Sequence, residues 1–333
     1  MTSRAQKMAM LGISILVSVL LLEIGSRLIF PVFPGARKIA ENGAELGEND
    51  WRIPGIQYQQ LSEEYQVRTT IDANGFRVPS ALTEPETLIL GDSFTFGQGV
   101  ADEETFTARF CKEKSWACVN MGQPGAGTVY EMNLLEKTLA ERDWHPKRVW
   151  LFVLAMTDNF YFYGNDLFDN WQSGQAKASP TAPRQPQPEP KEPGVNRLRA
   201  LRDHLVGASN LMRIAQFILG PYLKSLWSGK AEGDETMLRE ALERTAAQFQ
   251  RLDRLSRERA FDYQIFLLHP KEDLIRGSYA KTLARLNAIS PKPLVDTASA
   301  LLDDPKRHYY RYDGHFTPEG HDRIAEFLKS QAF

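Results

Sequence analysis

The chain opens on an apolar stretch and then settles into short apolar runs separated by amphipathic ones. Met8 to Leu22 carries no charge, and Ile24, Leu28, Ile29 and Phe30 continue the apolar character to Pro31. A helix over residues 8–30 would be about 34 Å long, enough to cross a hydrocarbon core. Glu23 and Arg27 stand four residues apart in the order that favours pairing, so they can face one interface together. The pattern predicts a transmembrane signal anchor over 8–30 behind a short cytoplasmic end, 1–7. A cleaved signal peptide is the competing reading, but no small-x-small cleavage site follows the apolar run. Residues 31–64 are polar and mixed, and read as an irregular stalk.

Beyond the stalk the apolar spacing changes to that of a layered domain, 65–333. Tyr65 to Ile71 alternates as a strand, and Asn74-Gly75 signals a tight turn. Thr87–Leu90, Ala117–Asn120, Val149–Ala155, Tyr263–Leu268 and Pro293–Asp296 read as short buried strands. Helical spacing runs over about 104–112 (Phe106 and Phe110 on one face), 129–142 (Met132, Leu135, Leu139) and 235–259. The last helix starts at Thr317-Pro318, an N-cap followed by a proline suited to the first turn. Strand, helix, strand, helix, strand predicts a parallel sheet covered on both faces. Ligand sites in such sheets lie at the carboxyl ends of the strands. Residues 176–194 are rich in Pro, Gln and Glu and read as a solvated linker. A helical insertion follows over about 194–230.

Composition narrows the function classes. The 333 residues have a net charge of -2, without the basic excess of a nucleic-acid binder. No repeat of 20–50 residues is visible, and nothing in the sequence implies a cofactor or names a protein partner. Positive residues flank both ends of the apolar segment, so charge does not fix its orientation. The two cysteines, Cys111 and Cys118, can bridge in an oxidising compartment or stand as two thiols.

Candidate chemistry gathers at two places. Gly91-Asp92-Ser93 lies where a strand hands over to a turn, which exposes a hydroxyl above the sheet near backbone N–H groups. A serine needs a base to become a nucleophile. Asp313-Gly314-His315 offers one, since residues i and i+2 of an extended loop project to the same side. Each feature alone is ordinary: Asp92 and Ser93 suit a turn or N-cap, His315 the approach to a helix, His321 the surface. Together, at strand ends, they point to acyl transfer. A metal site from Asp313, His315, His321 and Asp322 matches no standard ligand spacing. His145, His204, His269 and His308 have no evident partner in sequence.

These segments resemble the SGNH (GDSL-type) hydrolases. Ile89 to Val100 looks like the block that carries the nucleophile. Asn120-Met121-Gly122-Gln123-Pro124-Gly125 is similar to the second block, whose last glycine lends a backbone N–H to the oxyanion hole. Tyr312 to His321 looks like the last block, and Asn74-Gly75-Phe76-Arg77 like a segment of membrane-anchored members. The resemblance implies a flavodoxin-like, three-layer α/β/α fold, with Ser93, Asp313 and His315 as catalytic residues. It also implies an oxyanion hole from Ser93, Gly125 and an Asn side chain. The chain departs from the family at two points. Asp-x-His replaces the commoner Asp-x-x-His, a spacing found in SGNH-type proteins that O-acetylate exopolysaccharides. The third block, usually Gly-x-Asn-Asp, reads Ala155-Met156-Thr157-Asp158-Asn159. Thr157 takes the Asn column, Asn159 is the nearest amide and is the expected donor, and Asn165 matches the motif letters later. The implied activity is ester hydrolysis on a carbohydrate or lipid at the outer side of the plasma or inner membrane. Transfer to an envelope or secreted polysaccharide is the first alternative, and an inactive scaffold or glycan-binding subunit the second.

Overall fold

In a computed structural model of the chain, residues 4–29, 37–47, 53–80, 83–154, 209–211 and 232–331 are described. The apolar start forms one helix, α1 (Arg4–Ile29). Its segment Met10–Leu28 has a mean hydropathy of 1.9 and is long and apolar enough to cross a membrane. Arg27 donates to Glu23 at 2.8 Å across one turn, as its spacing predicts. Glu23 also accepts from Ser209 Oγ (2.8 Å) and from the backbone N–H groups of Asn210 (2.8 Å) and Leu211 (3.1 Å). These residues share one compact unit, Met1–Pro34 with Pro183–Asp234; the other comprises Gly35–Ala182 and Glu235–Phe333.

The second unit begins earlier than the stalk reading allows. Strands β1 (Arg37–Ala40), β2 (Gln57–Leu61) and β3 (Gln66–Thr70) form an antiparallel sheet in that order. Two of its three strands lie within the expected stalk, so residues 37–40 and 57–61 are regular structure rather than irregular. They escape a hydrophobicity reading because a glutamine points inward. Gln60 is fully buried and donates to Thr69 Oγ1 at 2.6 Å, which breaks the alternation that marks a half-buried strand.

Next come β4 (Thr87–Leu90), the one-turn helix α2 (Ser93–Phe96), α3 (Phe106–Lys114), β5 (Cys118–Asn120), α4 (Thr128–Glu141) and β6 (Arg148–Leu154). The remaining described elements are α5 (Glu232–Arg259), β7 (Asp262–Leu268), α6 (Lys271–Arg276), α7 (Tyr279–Asn287), β8 (Val295–Asp296), α8 (Pro305–His308) and α9 (Pro318–Ser330). Strands β4 to β8 form one parallel sheet in the order β5-β4-β6-β7-β8. In chain order of those five strands this is 2-1-3-4-5, the flavodoxin-like arrangement, whose switch point lies beside the first strand.

Alternation along the strands sorts side chains into two cores. Leu88, Leu90, Val149, Leu151 and Val153 face α4 and α5, meeting Met132, Leu135, Phe249 and Leu252. Ile89, Trp150, Phe152 and Leu154 face α3 and α9, meeting Phe106, Phe110, Ile324 and Leu328. Both faces of the sheet are thus buried, which explains why the strands read as continuous apolar runs. The disulfide Cys111–Cys118 ties α3 to β5 across a Cα–Cα distance of 6.2 Å. The linker 176–194 and nearly all of the insertion 194–230 lie outside the described residues.

Candidate active site

Ser93 stands at the first position of α2, just past the carboxyl end of β4. Asp92 caps the helix, its carboxylate accepting from the N–H of Phe94 at 2.9 Å. The turn is crowded. A Cβ at Gly91 would meet Thr95 Oγ1 at 2.2 Å, and one at Gly122 would meet the backbone N of Phe96 at 2.3 Å. The second block therefore packs directly on the backbone of the serine helix. Asn120 locks that contact, donating to Thr95 O (2.9 Å) and Thr107 Oγ1 (3.0 Å) while accepting from Gly122 N (2.9 Å).

The other end of α2 is held by Arg77, whose side chain is fully buried. It donates to the carbonyls of Phe96 (2.7 Å), Gly97 and Val100 (2.6 Å), and pairs with Asp102 at 3.0 Å. One guanidinium thus satisfies carbonyls that the end of a short helix leaves open. The sequence singles out Arg77 only by resemblance; its chemistry there is that of a buried cap.

The loop before α9 brings His315 to the serine. His315 Nε2 lies 2.7 Å from Ser93 Oγ, and His315 Nδ1 is hydrogen-bonded to Asp313 Oδ1. Asp313 Oδ2 accepts from Tyr65 Oη at 2.8 Å. Burial alone would raise the Asp313 carboxyl. The hydrogen bond and charge of His315, with the Tyr65 hydroxyl, outweigh it and hold the pKa below the usual value. The Tyr65 phenol is pushed up by burial and by the Asp313 charge, so it stays a donor. Phe94 packs against the imidazole with ring centres 4.8 Å apart. Gly314, between the pair, has φ 83°, a left-handed conformation suited to glycine.

Gly125 is exposed, in the segment between β5 and α4. It has φ 77°, and an added Cβ would meet nothing within 4 Å. The backbone conformation, not crowding, is what favours glycine there. Thr157, Asn159 and Asn165, the three sequence candidates for a side-chain donor, lie outside the described residues.

The remaining histidines divide differently from their sequence reading. His321 is not at the surface. It is fully buried on α9, and its Nδ1 accepts from the N–H of Phe106 at 3.1 Å. Burial, helped by the charges of Arg77 and Arg109, depresses its pKa well below the ordinary value. Asp322 pairs with Arg109 at 2.6 Å, and among the described residues no group of three His, Cys, Asp or Glu is placed to hold a metal ion. His269 and His308 do have partners, Asp296 at 2.5 Å and Asp303 at 2.9 Å. Neither pairing is visible in sequence, because 27 residues separate the first pair and nothing marks the second.

No family model matches the chain, and no curated protein does. Among solved structures, a member of the lipolytic protein G-D-S-L family from Veillonella parvula is 11% identical, over 73% of this chain and 96% of that one, with a TM-score of 0.35. An acetylxylan esterase from Geobacillus stearothermophilus is 15% identical, over 76% and 97%, with a TM-score of 0.34. At such values the likeness carries no argument about activity, which rests on the side chains above. The 2-1-3-4-5 sheet, the nucleophile block at the end of its first strand and the Asp-x-His loop before its last helix are together the arrangement of the SGNH-type hydrolases that the sequence resembles.

Proposed function

We propose that the chain is a serine-dependent ester hydrolase, acting outside the cytoplasm on an ester-bearing carbohydrate or lipid. The observation that carries this reading is the continuous hydrogen-bonded line from Ser93 Oγ through His315 to Asp313. In the first step Ser93 Oγ bonds to the ester carbonyl carbon as its proton passes to His315 Nε2. Asp313 stays ionised, fixes the imidazole with Nδ1 protonated and stabilises the imidazolium. The N–H groups of Ser93 and Gly125 hold the oxyanion, with Asn159 as the expected third donor; one such donor is worth roughly 3–4 kcal/mol in the transition state. His315 then returns the proton to the leaving alkoxide. Water then bonds to the acyl carbon as its proton passes to His315, and His315 returns that proton to Ser93 Oγ as the acyl–serine bond breaks and the acid leaves.

The extracytoplasmic placement is supported by the Cys111–Cys118 disulfide, which persists in oxidising compartments. The anchor reading is supported by α1, the one described helix apolar enough to span. The acylated Ser93 can also be released by a sugar hydroxyl, and the anchor with the Asp-x-His spacing favours that second reading. Full-length protein in detergent, given an aryl acetate with and without a polysaccharide acceptor, separates the two. Free acetate that disappears with Ser93→Ala supports hydrolysis, and acetylated glycan supports transfer. A wild-type protein no faster than Ser93→Ala overturns both.

A further inference from the structure

The hairpin turn that joins β2 to β3 reaches the acid loop on the far side of the sequence. Its own geometry is fixed locally. Ser62 N donates to Tyr65 O at 2.9 Å, and Ser62 Oγ accepts from the N–H groups of Glu64 (3.1 Å) and Tyr65 (3.2 Å). From this turn two side chains extend to residues 311–313. The Glu64 carboxylate accepts from three consecutive backbone N–H groups, those of Arg311 (2.6 Å), Tyr312 (2.9 Å) and Asp313 (2.8 Å). Tyr65 Oη donates to Asp313 Oδ2 at 2.8 Å, the carboxylate oxygen that does not face His315.

The surroundings are built to hold that arrangement. Tyr65 is 7% exposed, and its ring lies 4.9 Å from that of Tyr310. Tyr310 Oη donates to Gly99 O at 2.8 Å, and Gly99 N donates to the buried Gln60 of β2 at 3.2 Å. A Cβ on Gly99 would meet both tyrosine rings, at 2.8 and 2.9 Å. Lys271 Nζ grips the same loop from outside, at Tyr310 O (2.8 Å). The polar groups facing Asp313 are thus His315 from its own loop, Tyr65 and Glu64 from the hairpin turn, and Gln98 from the turn after α2 (3.4 Å).

A carboxylate that orients a histidine works only if it is itself held. Asp313 sits on an irregular loop with a left-handed glycine beside it, and no helix or strand fixes its rotamer. The hairpin supplies what the loop lacks: a clamp on the backbone and a donor on the outer oxygen. We propose that Glu64 and Tyr65 are positioning residues of the active site, setting the orientation of Asp313 and through it that of His315. The small N-terminal sheet is then a working part of the site rather than a spacer behind the anchor. This inference rests on the hydrolase reading above.

The test is aryl acetate hydrolysis by the full-length protein, with kcat and KM compared between wild type, Tyr65→Phe, Glu64→Ala and Glu64→Gln. Tyr65→Phe removes one oxygen and leaves the ring packing. It should lower kcat about tenfold, the size of one hydrogen bond to a charged group, with KM within about twofold. Glu64→Ala should lose kcat similarly, and Glu64→Gln, which keeps an acceptor, should recover part of the loss. An inactive wild type overturns the hydrolase reading and this inference with it. An active wild type matched in kcat by both Tyr65→Phe and Glu64→Ala overturns this inference alone.

Discussion

Two histidine–aspartate pairs lie beyond strands of the same parallel sheet, one after β7 and one in the loop before α9, and only the second faces a serine hydroxyl. His315 pairs with Asp313 and presents Nε2 to Ser93 Oγ at 2.7 Å, with all three side chains half-buried. His269 follows β7 and meets Asp296 of β8 at 2.5 Å. Its imidazole is wholly buried, and its Nδ1 has no hydrogen-bond partner among the described residues. Both pairs satisfy the simplest description of a charge-stabilised base. They differ in what the second nitrogen can reach. His269 spends its one bonded nitrogen on the carboxylate, and its carbonyl accepts from Tyr309 Oη at 2.6 Å, so it ties the end of β7 to the loop before α9. A histidine beside a carboxylate is a base only where the opposite nitrogen has access to a proton donor and to substrate.

The largest expected effect breaks the pair that faces serine. His315→Ala should lower kcat for an aryl ester at least about a thousandfold while leaving the fold intact. His269→Asn should leave kcat within about threefold and instead cost about 1–3 kcal/mol in a urea titration, as a buried partner is lost. A large kcat loss in His269→Asn would erase the distinction.

The next effect concerns what holds the serine end. Arg77→Met leaves Asp102 without its cation, with the Thr70 N–H still bonded to it, and strips donors from the carbonyls of Phe96, Gly97 and Val100. Removing one side of such a buried pair should cost about 3–5 kcal/mol in chemical denaturation, and activity should fall with the loss of α2.

Smaller effects come from buried groups that titrate. Glu131, in the first turn of α4, is fully buried, and neither carboxyl oxygen has a partner among the described residues. Burial first, and the Asp92 charge second, raise its pKa well above the ordinary value. A raised acid favours the native state below its unfolded pKa, and that contribution is lost as pH rises through the folded value. Glu131→Gln should therefore raise the melting temperature at pH 8 and change it less at pH 5. His321 runs the other way. Its depressed pKa favours the native state above the ordinary histidine value, and the benefit fades as pH falls from there. His321→Asn, which keeps an acceptor for Phe106 N–H, should flatten the fall in melting temperature between pH 6.5 and 5. Melting curves across pH check both.

The parallel sheet was legible in sequence because its strands are buried on both faces, leaving unbroken runs such as Leu88-Ile89-Leu90 between turn signals. Thr317-Pro318 marked the start of α9 through chemistry that few other positions use. Ser93, Asp313 and His315 were legible because each sits within a short motif, and the structure brings them into contact. Of the antiparallel sheet only β3 was. The sheet's buried positions include Gln60 and Thr69, so hydrophobicity does not outline the whole of it. Glu64 and Tyr65 were invisible for another reason: 248 residues separate Tyr65 from Asp313, and no local pattern links them. His321 resembled a surface residue because its polar neighbour is a backbone N–H, which sequence does not display.

The most direct test of the central claim is covalent labelling of the full-length folded protein with a fluorophosphonate, followed by peptide mapping. An activated serine attacks phosphorus as it would an ester carbonyl. Labelling confined to Ser93, absent in Ser93→Ala and strongly slowed in His315→Ala but not in His269→Asn, is the expected result. A folded protein whose Ser93 remains unmodified would contradict it.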